Sequence, residues 1–176
     1  MKKLLLTVVM VALVAIAGSA NADDASVAPF FVLEGEAVSQ DFVGLVPEGL
    51  RVNGHIRAVV TDGLFAGATA SGIDYLLFRH DGVGVIDARW LLVDADGATV
   101  AITVKGFMGE PFPGFLEAFL DPTFEPGDVD IPSHGAAWFQ TMAPQYAFLN
   151  HTVFGFTGSL NMAQGVIRMI GRSLAP

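Results

Sequence analysis

The sequence predicts an all-β domain, a closed antiparallel barrel of about eight strands with a long irregular loop near one end. Short runs rich in Val, Ile, Phe, Leu and Tyr recur along the chain, separated by Gly, Asp and Pro. No sustained helical periodicity follows the N-terminal segment. Eight such runs suffice to close a small barrel, which removes the exposed edges of an open sheet.

The N-terminal segment has the three parts of a secretory signal. Lys2 and Lys3 are its charged start, Leu4–Ala17 its apolar stretch, and Ala20-Asn21-Ala22 its small-x-small cleavage site. A spanning helix would want about 20 apolar residues, and this run stops at Gly18-Ser19. Residues 1–22 therefore read as a signal peptide cleaved after Ala22, and residues 23–176 as one β-barrel domain. The chain has no cysteine, so a lipid-modified cysteine and disulfides are both excluded. The expected destination is a bacterial periplasm or the surrounding medium, with no membrane attachment after cleavage. The formal charge is −9, and it becomes more negative once the two lysines leave. That balance argues against nucleic acid and anionic lipid, which need basic surfaces.

Candidate strands fall near residues 30–38, 51–61, 72–80, 83–93, 98–107, 136–142, 146–157 and 164–172. The most informative hairpin covers residues 71–93. Asp81-Gly82 is a strong signal for a two-residue type I′ turn. That turn pairs His80 with Val83, Leu76 with Asp87 and Asp74 with Arg89, so Asp74, Asp87 and Arg89 share one face. The other face carries Ile73, Tyr75, Leu77, Ile86, Ala88, Trp90 and Leu92, apolar enough to be covered by a second copy in a homo-oligomer. From Phe107 to Gly135 the alternation gives way to a Pro- and Gly-punctuated acidic loop. It has one short helical stretch around Phe115–Leu120, and its phenylalanines are placed to cap an open barrel end.

Three segments resemble a family without an established activity, the domain of unknown function 3237. They are PEGLRVNGHIRAVVTDGLFAG (47–67), SGIDY through GVIDARWLLVDADGA (71–98) and WFQTMAPQYAFLNHTVFGFTG (138–158). Asp87 to Trp90 and Tyr146 to Asn150 are the most specific parts. The chain departs from the family at Asp62-Gly63, Gln140 and Tyr75, and Gln140 replaces a common arginine. The resemblance implies a lipocalin-like barrel, similar in architecture to allene oxide cyclase and dirigent proteins, with a central pocket. It implies no reaction.

Two constellations stand out. Asp74, Asp87 and Arg89 are the candidate catalytic group. Inside a barrel one Asp would accept a proton while Arg89 anchors a ligand oxygen; facing solvent, the three would simply lock the hairpin register. Tyr146 and Asn150, four residues apart on one side of a strand, would donate to a ligand carbonyl or else satisfy backbone groups. Tyr75, Trp90, Trp138 and Phe139 complete the expected ligand-binding set. His55, His80, His134 and His151 lack metal-ligand spacing, so no metal is expected, and no cofactor motif appears.

The expected function is an exported barrel that binds a small apolar or aromatic molecule bearing oxygen groups. The alternative is a cofactor-free isomerase, cyclase or lyase with Asp as base and Arg or Tyr holding negative charge. An outer-membrane barrel ranks last, because many strands are apolar on both faces.

Overall fold

The computed structural model describes residues 28–110 and 114–174. The predicted signal lies outside the described residues. Eight antiparallel strands follow one another round a closed barrel in chain order. They are β1 (Phe31–Val46), β2 (Gly49–Gly63), β3 (Thr69–Arg79), β4 (Gly84–Val93), β5 (Thr99–Met108), β6 (Asp130–Thr141), β7 (Val153–Asn161) and β8 (Val166–Ser173). A short helix, α1 (Phe115–Leu120), and a 3₁₀ helix (Pro144–His151) complete the fold. The barrel architecture is the expected one.

Alternation decides what lies inside. Along β4, Ile86, Ala88, Trp90 and Leu92 are buried while Arg89 and Leu91 are exposed. The same period of two puts Val52, Ile56, Ala58 and Val60 of β2 and Val100, Ile102 and Val104 of β5 in the interior.

The two ends of the barrel are closed differently. At one end the β2–β3 loop and the 3₁₀ helix bring Phe65, Tyr146 and Leu149 over Phe31, Phe139 and Phe154. Phe139 lies edge-on to Phe154 and Phe31, with centroids 5.1 Å and 5.9 Å away, and 6.0 Å from Phe65. This is a solid aromatic core with pairs in favourable edge-to-face geometry. At the other end α1 lays Phe115 and Phe119 over Phe78, with centroids 5.1 Å and 5.8 Å away. The loop phenylalanines thus do cap a barrel end, as read from the sequence.

Three expectations need correction. The segment 146–157 is not one strand: Pro144 opens the 3₁₀ helix, and β7 starts only at Val153. Proline has a fixed φ and no N–H to give a ladder, which suits the first turn of a helix. The irregular stretch is shorter than 107–135, because β5 runs to Met108 and β6 begins at Asp130.

The third correction concerns the 71–93 hairpin. A type I′ turn requires positive φ at Asp81, yet no residue other than glycine has positive φ among those described. Instead Arg79 N–H donates to Val83 O and Gly82 N–H to Arg79 O, both at 2.9 Å. The loop is therefore three residues, His80-Asp81-Gly82, with Gly82 left-handed at φ 85°, the arrangement of a type I turn followed by a bulge. The Asp81 carboxylate supports it by accepting Val83 N–H and pairing with Arg79. One extra loop residue shifts the register by one, so Asp74 faces Ala88 and Ile73 faces Arg89. A one-residue slip exchanges the faces of one strand relative to the other. Asp74 turns inward, while Asp87 and Arg89 turn outward beside Ile73, Tyr75 and Leu77. The apolar face expected to meet a second copy is accordingly divided between core and surface.

β1 is unusual. It pairs with β8 only over Phe31–Glu36, and from Ala37 to Val46 it pairs with β2 alone among the described residues. Val38, Phe42, Val43 and Leu45 are exposed along this edge.

Candidate functional site

A cavity of about 120 Å³ occupies the α1 end of the barrel interior. Its walls are mostly apolar: Val52, Ile56, Leu76, Phe78, Ile86 and Met108 are typical. It reaches the gap where β1 leaves β8, at Ala37, Gln40, Met162 and Gly165. For scale, an engineered apolar cavity of roughly 150 Å³ takes up benzene.

Two polar groups of the cavity come from adjacent strands. Asp74 sits opposite Ala88 and Trp90 opposite Gly72, so the two are diagonal neighbours on the inner face. Such neighbours lie roughly 7–8 Å apart, within reach of one small molecule. Strand pairing lapses between Asp74↔Ala88 and Leu77↔Val85. There the Asp87 N–H donates to Asp74 Oδ1 at 3.2 Å, which leaves Oδ2 for another donor. Burial among apolar walls pushes the Asp74 carboxyl up to about 6; the Asp87 N–H opposes this, and the negative Asp87 adds to it.

Trp90 is 7% exposed, and its indole Nε1 is buried without a hydrogen-bond partner among the described residues. Gly72 makes room for the ring, since a Cβ there would come within 2.7 Å of Trp90 Cδ1. Gly54 makes room beside Asp74, its ladder partner on β2. A Cβ on Gly54 would meet only Ile56 Cδ1, at 3.7 Å. Ser133 of β6 also lines the cavity.

The other candidates lie elsewhere. The Asp87 carboxylate pairs with Arg89 and, at 3.8 Å, with Lys105, on the outer face. These three form a partly exposed ion-pair cluster, the kind that contributes little to stability. Tyr75 is exposed, and Trp138 is half-buried on the outer face of β6 between the inward Ala137 and Phe139. Phe139 is interior but belongs to the aromatic end. Tyr146 and Asn150 are also at that end. The Tyr146 hydroxyl donates to Asp94 Oδ2 at 2.9 Å. Asn150 accepts Thr141 N–H at 2.9 Å and donates to Thr141 O at 3.0 Å, so it serves the backbone. The Tyr146 bond holds Asp94 below the usual carboxylate range and raises the phenol in return.

The cavity thus joins Asp74 and Trp90 and leaves out the remaining candidates. Sequence reasoning did not find Gly54 or Ser133. A lone glycine inside a strand pattern marks a close approach of a ligand or another backbone, and Gly54 within RVNGHIR carried that signal.

Among the described residues no group of histidine, cysteine or carboxylate side chains could hold a metal ion, and no helix is long and apolar enough to cross a membrane.

Comparison with known proteins gives the same fold. The family profile for the protein of unknown function DUF3237 matches residues 26–170. No curated protein matches. A conserved protein of unknown function from Rhodopseudomonas palustris is 19% identical, with a TM-score of 0.63 over 81% of this chain and 94% of that one. A β-barrel-like protein from Acinetobacter baumannii is 20% identical, with a TM-score of 0.58 over 82% of this chain and 92% of that one. A protein with unknown function from Clostridium acetobutylicum is 20% identical, with a TM-score of 0.65 over 83% of this chain and 95% of that one. At these identities the likeness is one of fold.

Proposed function

The chain belongs to the DUF3237 family of proteins of unknown function, and from that premise we propose that its barrel is exported and binds a small oxygen-bearing apolar molecule. The site is the cavity between Asp74 and Trp90. The observation that carries the reading is the indole N–H of Trp90, a residue that lines that space, buried with no hydrogen-bond partner among the described residues. A buried donor without an acceptor costs about 1–3 kcal/mol, and a ligand oxygen would recover that cost. Asp74 Oδ2 supplies the matching acceptor for a ligand hydroxyl. The apolar walls with a few convergent polar groups have the usual composition of a ligand pocket. The volume suits one ring.

Export is supported by the composition of residues 1–22 and by the start of the family match at residue 26, beyond Ala22. Osmotic shock of expressing cells should release the mature chain; retention in the cytoplasm or with membranes would contradict export.

Binding is tested by calorimetric titration of the mature protein with cyclohexanone and with phenol. Gly54→Val fills the space beside Asp74 without removing either polar group. We expect wild type to bind at least one probe and the variant to bind it at least tenfold more weakly. Equal affinity in the two proteins would place the ligand elsewhere.

A further inference from the structure

We propose that this cavity is a proton-transfer site, in which Asp74 removes and returns a proton next to the carbonyl of a small cyclic ketone while Trp90 holds the oxygen. The inference rests on the binding reading above and goes beyond it to a reaction.

The arrangement matches what such a step requires. Asp74 and Trp90 line one space from neighbouring strands, and among the described residues no other hydrogen bond competes for the indole N–H. Asp74 Oδ1 is fixed by the Asp87 N–H, which aims the carboxylate into the cavity and leaves Oδ2 open. Arg89 and Tyr146 cannot stabilise charge here, since one is outside and the other at the far end. Trp90 takes the part that the sequence reading gave to them.

The step balances without a further reactant. The ionised Asp74 takes the proton from the carbon beside the carbonyl. The C–H electron pair becomes the carbon–carbon double bond of an enolate, and the carbonyl π pair moves to oxygen. The indole N–H donates to that oxygen as its charge grows, and a donor placed in advance is effective for this. The proton on Asp74 then returns to the same carbon or, in a conjugated substrate, to the far end of the π system. A carboxyl raised by burial toward the operating pH is a better base for such a step than an ordinary carboxylate.

The test is deuterium uptake at the carbons flanking the carbonyl of cyclohexanone, followed by NMR in heavy water with the mature protein. Wild type should exceed the protein-free rate. Asp74→Asn keeps the shape and the Asp87 bond, so it should still bind cyclohexanone while losing about 100-fold or more of the acceleration. Trp90→Phe should lose about 100-fold while remaining folded by circular dichroism. If cyclohexanone binds wild type without faster exchange, the proton-transfer proposal falls and the binding reading stands. If exchange survives in Asp74→Asn, Asp74 is not the base and the proposal is overturned. If cyclohexanone does not bind at all, both readings fail for this ligand class.

Discussion

The Asp74 carboxylate accepts the backbone N–H of Asp87 at 3.2 Å, while the Asp87 carboxylate points to Arg89 on the other face of the sheet. Two aspartates joined by one hydrogen bond therefore have opposite surroundings, one an apolar cavity and the other solvent. The difference follows from a single loop residue in the β3–β4 turn.

The buried carboxylate makes stability depend on pH. Asp74 is raised to about 6 in the folded chain from an ordinary value of 3.8. The folded state therefore holds this proton more tightly than the unfolded one between those values, and stability falls as pH rises through that window. Above it the cost is complete, on the order of 3 kcal/mol from the size of the shift. Asp74→Asn should be more stable than wild type at neutral pH by about 1–3 kcal/mol and equal to it well below the unfolded value. Urea unfolding across this range checks the sign; a variant less stable at neutral pH would contradict it.

The turn itself is open to test. Gly82 sits at φ 85°, where a Cβ is crowded by the backbone. Gly82→Ala should cost about 1–2 kcal/mol, read as a lower denaturant midpoint with an unchanged slope. Under a type I′ turn Asp81 would share the strain, so Asp81→Gly should then stabilise. In the observed turn it should instead destabilise, by removing the Val83 and Arg79 contacts.

Tyr146 and Asp94 form a separate pair at the aromatic end. The hydroxyl donates to an ionised carboxylate, so Tyr146→Phe should raise the Asp94 pKa toward its ordinary value. The return should be partial, because Asp94 also accepts Ala98 N–H at 2.7 Å and Asp96 N–H at 3.0 Å. Carboxyl carbon shifts followed by NMR would report it. An unchanged Asp94 would mean that the bond does not persist in solution.

The aromatic end and the cavity end should also separate energetically. Phe139 is 2% exposed among Phe31, Phe65 and Phe154. Phe139→Ala should cost about 3–5 kcal/mol of stability, measured by denaturant unfolding. Cyclohexanone affinity should change little while the variant stays folded.

How far the sequence revealed this depended on whether a signal was local. Alternation in β4 and β5, with Gly and Pro between runs, gave the strands and the barrel, since period two is set by each strand alone. The cap over the barrel end was legible from the phenylalanines after Phe107. The turn was not, because Asp-Gly serves both a two-residue and a three-residue hairpin loop. The choice rests on the φ of Asp81 and on its contacts with Val83 and Arg79. That one residue decided which carboxylate faced inward, so Asp74 and Trp90 were recovered as candidates but not as neighbours. Tyr146 was misplaced because QYAFLN reads as a strand unless Pro144 is taken as a helix start.

The most direct test of the central claim uses the two tryptophans of the chain, Trp90 and Trp138. Their indole N–H signals in a proton–nitrogen NMR spectrum are told apart by the loss of one in Trp138→Phe. On titration with cyclohexanone the Trp90 signal should move downfield as its N–H gains an acceptor, while the Trp138 signal stays in place. A Trp90 signal that does not move, in a protein shown to bind the ketone, would contradict the assignment of this cavity as the ligand site.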